Sequence, residues 1–227
     1  MFPDNLYNNY ESNITLVNFM SQIIPKSLIL TFLLIQSSFI LSNVEDETYV
    51  IGFGSCITEK REQPIWEAIN DEGVDEFFFM GDNVYGDSED GLLNDMKASY
   101  EKQKQMFPKW IFSKKLNAIW DDHDYGKNDG GKEYPLKIQA QELFLKFWGV
   151  DEEDPRHTRE GIYFSEEKEI LGTRVNLIAL DTRYHRSPLG QESKPYSAVD
   201  DKTKTMLGEE QWQWLEKIVE KESDMII

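Results

Sequence analysis

The sequence predicts an α/β fold with a sheet that is largely parallel in its middle. Two observations carry this expectation. From Glu47 onward, short apolar runs alternate with stretches of helical spacing. Four of the apolar runs then end in chemically loaded residues, as strands of an open α/β sheet do where they meet a ligand crevice. The chain has 227 residues, of which 40% are hydrophobic and 13% aromatic, enough to build one sizeable core.

In chain order, "TYVIGFGSC" reads as a strand ending in a turn at Gly54. "QPIWEAIN" reads as a short helix with Pro64 near its first turn. "VDEFFFMGDNVYGD" is a strand that breaks into a Gly/Asp/Asn loop. "LLNDMKASYEKQKQMF" has Leu93, Met96 and Tyr100 at helical spacing. "LNAIWDDHD" is a strand that ends in acid. "PLKIQAQELFLKFWG" is an amphipathic helix stopped by Gly149. "GIYFSEEKEILGTRVNLIALDTRYHR" reads as a hairpin running into a buried strand. "GEEQWQWLEKIVEKE" is a last helix with Trp212, Leu215 and Val219 on one face. No internal repeat or low-complexity run interrupts the pattern.

Residues 1–42 read as separate from the fold. "SLILTFLLIQSSFILS", Ser27 to Ser42, is apolar, follows Lys26 and is succeeded by acid from Glu45. Its sixteen residues fall short of the ~20 that a membrane span needs, and the layout is that of a signal peptide. A start at Met20 would give the leader an ordinary length. The alternative is a signal anchor or a buried strand. The signal reading implies a secreted or secretory-lumen protein whose folded part begins near Asn43, with no stable membrane span.

Net charge is −18 at neutral pH. That speaks against nucleic acid as the main partner, since phosphate backbones need a basic surface. An acidic protein still accepts an anionic substrate if cations reverse the sign inside the site.

Cys56 is the single cysteine, so no internal disulfide forms. It is a small buried thiol, a free reactive thiol or a metal ligand. The four strand ends carry Cys56; Asp82 and Tyr85; Asp122, His123 and Asp124; and Asp181 and Arg183. Each motif alone is weak, but their joint occurrence predicts one shared crevice. "AIWDDHDYGKNDGG" gathers four aspartates and a histidine, which repel one another unless a cation lies among them. Carboxylates and amides are hard ligands, whereas a thiolate and a phenolate each require a strongly Lewis-acidic ion to displace their protons. Cys56, Asp82 and Tyr85 together suit ferric iron. An EF-hand counted from Asp122 fails because Lys127 stands where the turn requires Gly.

"FGSC", "FFFMGDNVYGD", "WDDHDYGKNDGG", "GIYFS", "LDTRYHR" and "LGEEQWQWLE" occur in the order seen in PhoD-like alkaline phosphatases of the metallophosphoesterase class. The resemblance runs from about Tyr49 to Glu222. It implies a sandwich of two mixed sheets flanked by helices, and Fe3+- and Ca2+-dependent hydrolysis of phosphate mono- or diesters. By motif, Cys56 resembles the iron-binding thiolate, Asp82 the bridging aspartate and Tyr85 the phenolate ligand. Asp122 takes a metal-binding position, and Asn128 resembles a calcium ligand. His123 resembles the histidine that contacts the phosphoryl group, with Asp124 expected to orient it. Arg183 is either a donor to the substrate phosphate or a structural ion pair. The family's later "GD-x-H" segment has no counterpart here, and "DMII" reads as the start of a further strand, so the fold is expected to be incomplete at its C-terminal end. Two other readings stand beside the enzyme: a non-catalytic acidic secreted calcium-binding domain, and an inactive truncated fragment.

Overall fold

A computed structural model describes residues 47–189 and 201–227. The predicted leader, Ser27 to Ser42, lies outside the described residues. The chain divides into two units, Met1–Thr48 and Tyr49–Ile227, and the fold described is that of the second. Among the described residues, no helix is long and apolar enough to cross a membrane.

Two three-stranded sheets form the frame. The first joins β1 (Ile51–Gly54), β2 (Glu76–Met80) and β3 (Lys115–Ile119), all parallel, with Phe53 opposite Phe78 and Phe79 opposite Ala118. The crossovers carry α1 (Ile65–Asp71) and α2 (Asn94–Met106). The second sheet is mixed: β4 (Phe164–Ile170) pairs antiparallel with β5 (Thr173–Ala179), which pairs parallel with β6 (Met225–Ile226). Between the sheets come the short α3 (Asp122–Tyr125) and α4 (Lys137–Trp148), and α5 (Gly208–Val219) precedes β6. Gly149 ends α4 in the left-handed conformation that favours glycine, as its place in the sequence predicts.

Strand β2 shows why the layers assemble. Successive side chains of a strand point to opposite faces. Phe77 and Phe79 therefore share one face and meet Trp66 of α1 at 5.8 and 6.1 Å between ring centroids. Phe107 and Trp148 complete this aromatic cluster. Phe78 points the other way and stacks on Phe164 of β4 at 6.1 Å with an interplanar angle of 5°. That contact docks the two sheets. Glu76 lies on the same face as Phe78. It is fully buried, accepts from Asn117 Nδ2 at 2.6 Å and pairs with Lys168 of β4. A second tie runs from Trp120 Nε1, just after β3, to Asp181 Oδ1 at 2.9 Å, just after β5.

Helix α5 turns a face other than its Trp212, Leu215 and Val219 stripe fully inward. Its buried positions are Gln211 and Ile218, with Trp214 and Leu215 half-buried, while Trp212 is 47% and Val219 46% exposed. Gln211 takes the core position because its amide satisfies buried backbone: its Oε1 accepts from Asp181 N and its Nε2 donates to Asp181 O, both at 2.8 Å.

Candidate metal centre

The loops that follow β1 and β2 are pinned to each other by backbone bonds. Cys56 N donates to Gly81 O at 3.1 Å, and Ile57 N donates to Asp82 O at 3.0 Å. Gly81 is required here. Its φ is +97°, and a Cβ would lie 2.7 Å from the Asp121 backbone nitrogen, so only glycine lets the β2 end approach the β3 end this closely. Cys56 and Asp82 themselves hold φ of 60° and 52°, left-handed values that cost a non-glycine residue free energy. The strain aims both side chains into the same space: Cys56 Sγ stands 3.7 Å from Asp82 Oδ2, and the Tyr85 hydroxyl donates to that oxygen at 3.3 Å. Cys56 is exposed, which overturns the reading of a small buried thiol.

Asp82 is 9% exposed, and its second oxygen, Oδ1, is buried with no hydrogen-bond partner among the described residues. Burial, and then the neighbouring Asp122 carboxylate, push its pKa above the usual carboxylate value, against a smaller lowering by His123. Ligand atoms of Asp82, Asp122 and His123 all lie within 4.8 Å of one another. A buried acceptor without a donor, beside a second carboxylate, is costly unless a cation faces it. The two carboxylates therefore fit a metal ion, with His123 beside them. Burial first, and then Asp82 and Cys56, push the Tyr85 phenol far above its ordinary pKa, so it keeps its proton unless a cation replaces it.

Helix α3 sets out the acids of the β3 end in different directions. Asp121 caps it in a capping box with Asp124. Asp122 accepts from Asp129 N at 2.7 Å. His123 is held at Nδ1 by Asp87 Oδ1 at 2.7 Å, and its ring lies 4.4 Å from that of Tyr85. This corrects the expected orienting partner, because Asp87 binds the imidazole and Asp124 points elsewhere. Asp124 is 1% exposed and accepts four bonds: Asp121 N at 2.6 Å and Asp82 N at 3.3 Å on Oδ1, with Asn83 N at 3.1 Å and Asn83 Nδ2 at 2.6 Å on Oδ2. It braces the loop that carries Asp82. Burial pushes its pKa well up, and the backbone donors from Asn83 and Asp121 pull the other way.

The remaining candidates take different places. Arg183 Nε donates to Asp121 Oδ1 at 2.5 Å and its NH2 stands 3.8 Å from Asp122 Oδ1, so it makes the ion pair and also borders the acids. Asp181, although loaded in sequence, is a fully buried structural hub that accepts from Trp120, Ile162 N, Arg183 N and Tyr184 N. Asn128 is exposed and donates to Asp129 Oδ2 at 3.0 Å. Sequence reasoning missed Asp87, Asn83 and Glu59. Asp87 closes the same "GDNVYGD" loop and was legible as its second acid. Glu59 is buried, and its carboxylate fixes Tyr85 N and the Ser99 hydroxyl, each at 3.0 Å.

Residues 114–224 match the family model described as PhoD-like phosphatase. That segment contains Asp122, His123, Asp124, Asn128 and Arg183, while Cys56, Asp82 and Tyr85 precede it. No curated protein matches the chain. Among solved structures, the fold is similar to one described as "Structure of PhoD", with a TM-score of 0.55 and 16% identity over 76% of this chain. The chain spans 40% of the length of that protein. The likeness shows a shared fold.

Proposed function

We propose that this PhoD-like chain takes part in metal-dependent hydrolysis of phosphate mono- or diesters in a secretory compartment. One observation carries the reading: Asp82, whose buried Oδ1 has no hydrogen-bond partner among the described residues and whose Oδ2 meets Cys56 and Tyr85, offers a ligand atom within 4.8 Å of those of Asp122 and His123. The family match over residues 114–224 supports phosphate chemistry at such a site.

Bound cations would supply charge compensation for the phosphoryl oxygens and a hydroxide nucleophile at neutral pH. Cys56, Asp82 and Tyr85 are the residues to hold Fe3+, because a thiol and a buried phenol give up their protons only to a strongly Lewis-acidic ion. Asp122 and Asn128 offer oxygen, which suits Ca2+. With Nδ1 tied to Asp87, His123 has Nε2 left for the reacting group. In its protonated form it hydrogen-bonds a phosphoryl oxygen or hands its proton to the leaving oxygen. The Arg183 nitrogens not spent on Asp121 would donate to a phosphate that approaches Asp122.

The test is metal content together with hydrolysis. Purified chain exposed to iron and calcium should retain iron, show a Tyr-to-iron charge-transfer band, and hydrolyse p-nitrophenyl phosphate or its bis-ester. Cys56→Ser should lose iron and keep calcium. A chain that retains neither metal and hydrolyses neither ester would overturn the proposal.

A further inference from the structure

A second site lies in the groove between α2 and α4, outside the metal centre. Lys97 and Lys104 stand two turns apart on one face of α2, and Lys146 faces them from α4. The groove they enclose has a volume of about 400 Å³, within the ~300–1,000 Å³ of small-molecule sites. Its floor is Phe147 and Leu143, both half-buried, with the nearly buried Tyr100 ring behind them, 4.4 Å from that of Phe147. Glu101 is the one carboxylate of the lining. Among the described residues, none of the three lysines forms an ion pair or a side-chain hydrogen bond. The whole chain carries 42 acidic against 24 basic residues, so three uncommitted ammonium groups around one apolar floor oppose the charge of the molecule. A cationic rim over a ring-lined floor recognises a negative group attached to a flat apolar body.

We propose that the α2–α4 groove binds a small organic anion bearing an aromatic group, such as an aryl sulfonate or aryl carboxylate. The anion sits among Lys97, Lys104 and Lys146, and the ring lies against Phe147 and Leu143. The site does not depend on the phosphatase reading. It touches the metal centre from behind, because the Tyr100 hydroxyl donates to Asp124 O at 3.4 Å.

The probe is 2-naphthalenesulfonate, titrated calorimetrically into the chain in the presence of EDTA, which removes metal as a rival anion site. Saturable one-to-one binding is expected, with a Kd of about 1 mM or tighter, given the modest affinity per atom of ligands this size. Lys97→Glu with Lys104→Glu should weaken it at least ~10-fold, as should salt raised to about 0.5 M, where the Debye length shrinks to a few ångströms. Uncharged 2-naphthalenemethanol should bind at least ~10-fold more weakly, because it offers the rim no charge. Should the double variant lose its native far-UV circular dichroism, Lys97→Met with Lys104→Met removes the charges with good helix formers and reads the same loss. Absence of saturable binding, or equal affinity in a folded double variant, overturns the proposal.

Discussion

Replacing Asp124 with Asn tests how the candidate centre is built, because the two states of the carboxyl predict opposite outcomes. Every contact to its side-chain oxygens is a donor: three backbone N–H groups and the Asn83 amide. An ionised carboxylate accepts all four. Asn keeps one oxygen and turns an NH2 toward the other two donors. Two buried donors then lose their acceptor at about 1–3 kcal/mol each, so Asp124→Asn should destabilise by about 2–6 kcal/mol. In a folded unit running from Tyr49 to Ile227, each kcal/mol lowers Tm by about 2–4 °C, so a fall of the order of 10 °C is expected. A protonated carboxyl is a near isostere of the amide, and the same substitution would then be close to neutral. The assay is thermal unfolding of the metal-free chain at neutral pH, followed by near-UV circular dichroism, with Tyr100→Phe as the control for loss of the long bond to Asp124 O. A Tm for Asp124→Asn within about 2 °C of the parent would refute the four-donor account, since the cost argued from unsatisfied donors exceeds it.

Asp87→Asn should lower hydrolysis or metal affinity by about 10–100-fold while leaving Tm nearly unchanged, because it frees the His123 ring without touching the core. A kinetic and calorimetric comparison with the parent checks this, and unaltered kinetics would remove Asp87 from the site. Glu76→Ala should cost about 3–5 kcal/mol in urea unfolding, since Lys168 is left without its partner between the sheets. Gly81→Ala should cost about 1–3 kcal/mol for its positive φ alone, and more for the contact with Asp121, as a denaturation series would show. The Asp224 pKa is lowered to about 2, first by its hydrogen bond to the Arg174 side chain and then by that to Arg174 N. The sign follows: this link between β5 and β6 is fully present above the unfolded carboxyl value near ~4 and is lost as pH falls through about 2. Amide shifts of Met225 and Ile226 should titrate in that window, and Asp224→Asn should abolish the transition.

The fold was legible wherever local signals agreed with tertiary demand. The β4–β5 hairpin, the stop of α4 at Gly149 and the strand ends bearing Cys56, Asp82 and Asp122 all follow from spacing and turn chemistry. The partner of His123 did not. Adjacent residues of a helix point about 100° apart, so the neighbour Asp124 turns toward the Asp82 loop while His123 turns toward Asp87. On α5 spacing alone did not tell which face turns inward: Gln211 rather than Trp212 takes the interior because the backbone of Asp181 needs an amide there. The exposure of Cys56 follows from a loop conformation that no composition argument reaches.

The ties between the sheets join distant parts of the chain. Trp120 and Asp181 are 61 residues apart, and Glu76 and Lys168 are 92 apart, whereas each sheet draws its strands from one contiguous stretch. Closing such long loops costs chain entropy that only the finished contacts repay. Assembly should therefore run in two movements, with the halves taking shape separately and their joining setting the pace. Trp120, almost fully buried and bonded across that seam, provides the optical readout: in stopped-flow refolding its emission should settle last, and Trp120→Phe should remove the slowest fluorescence phase.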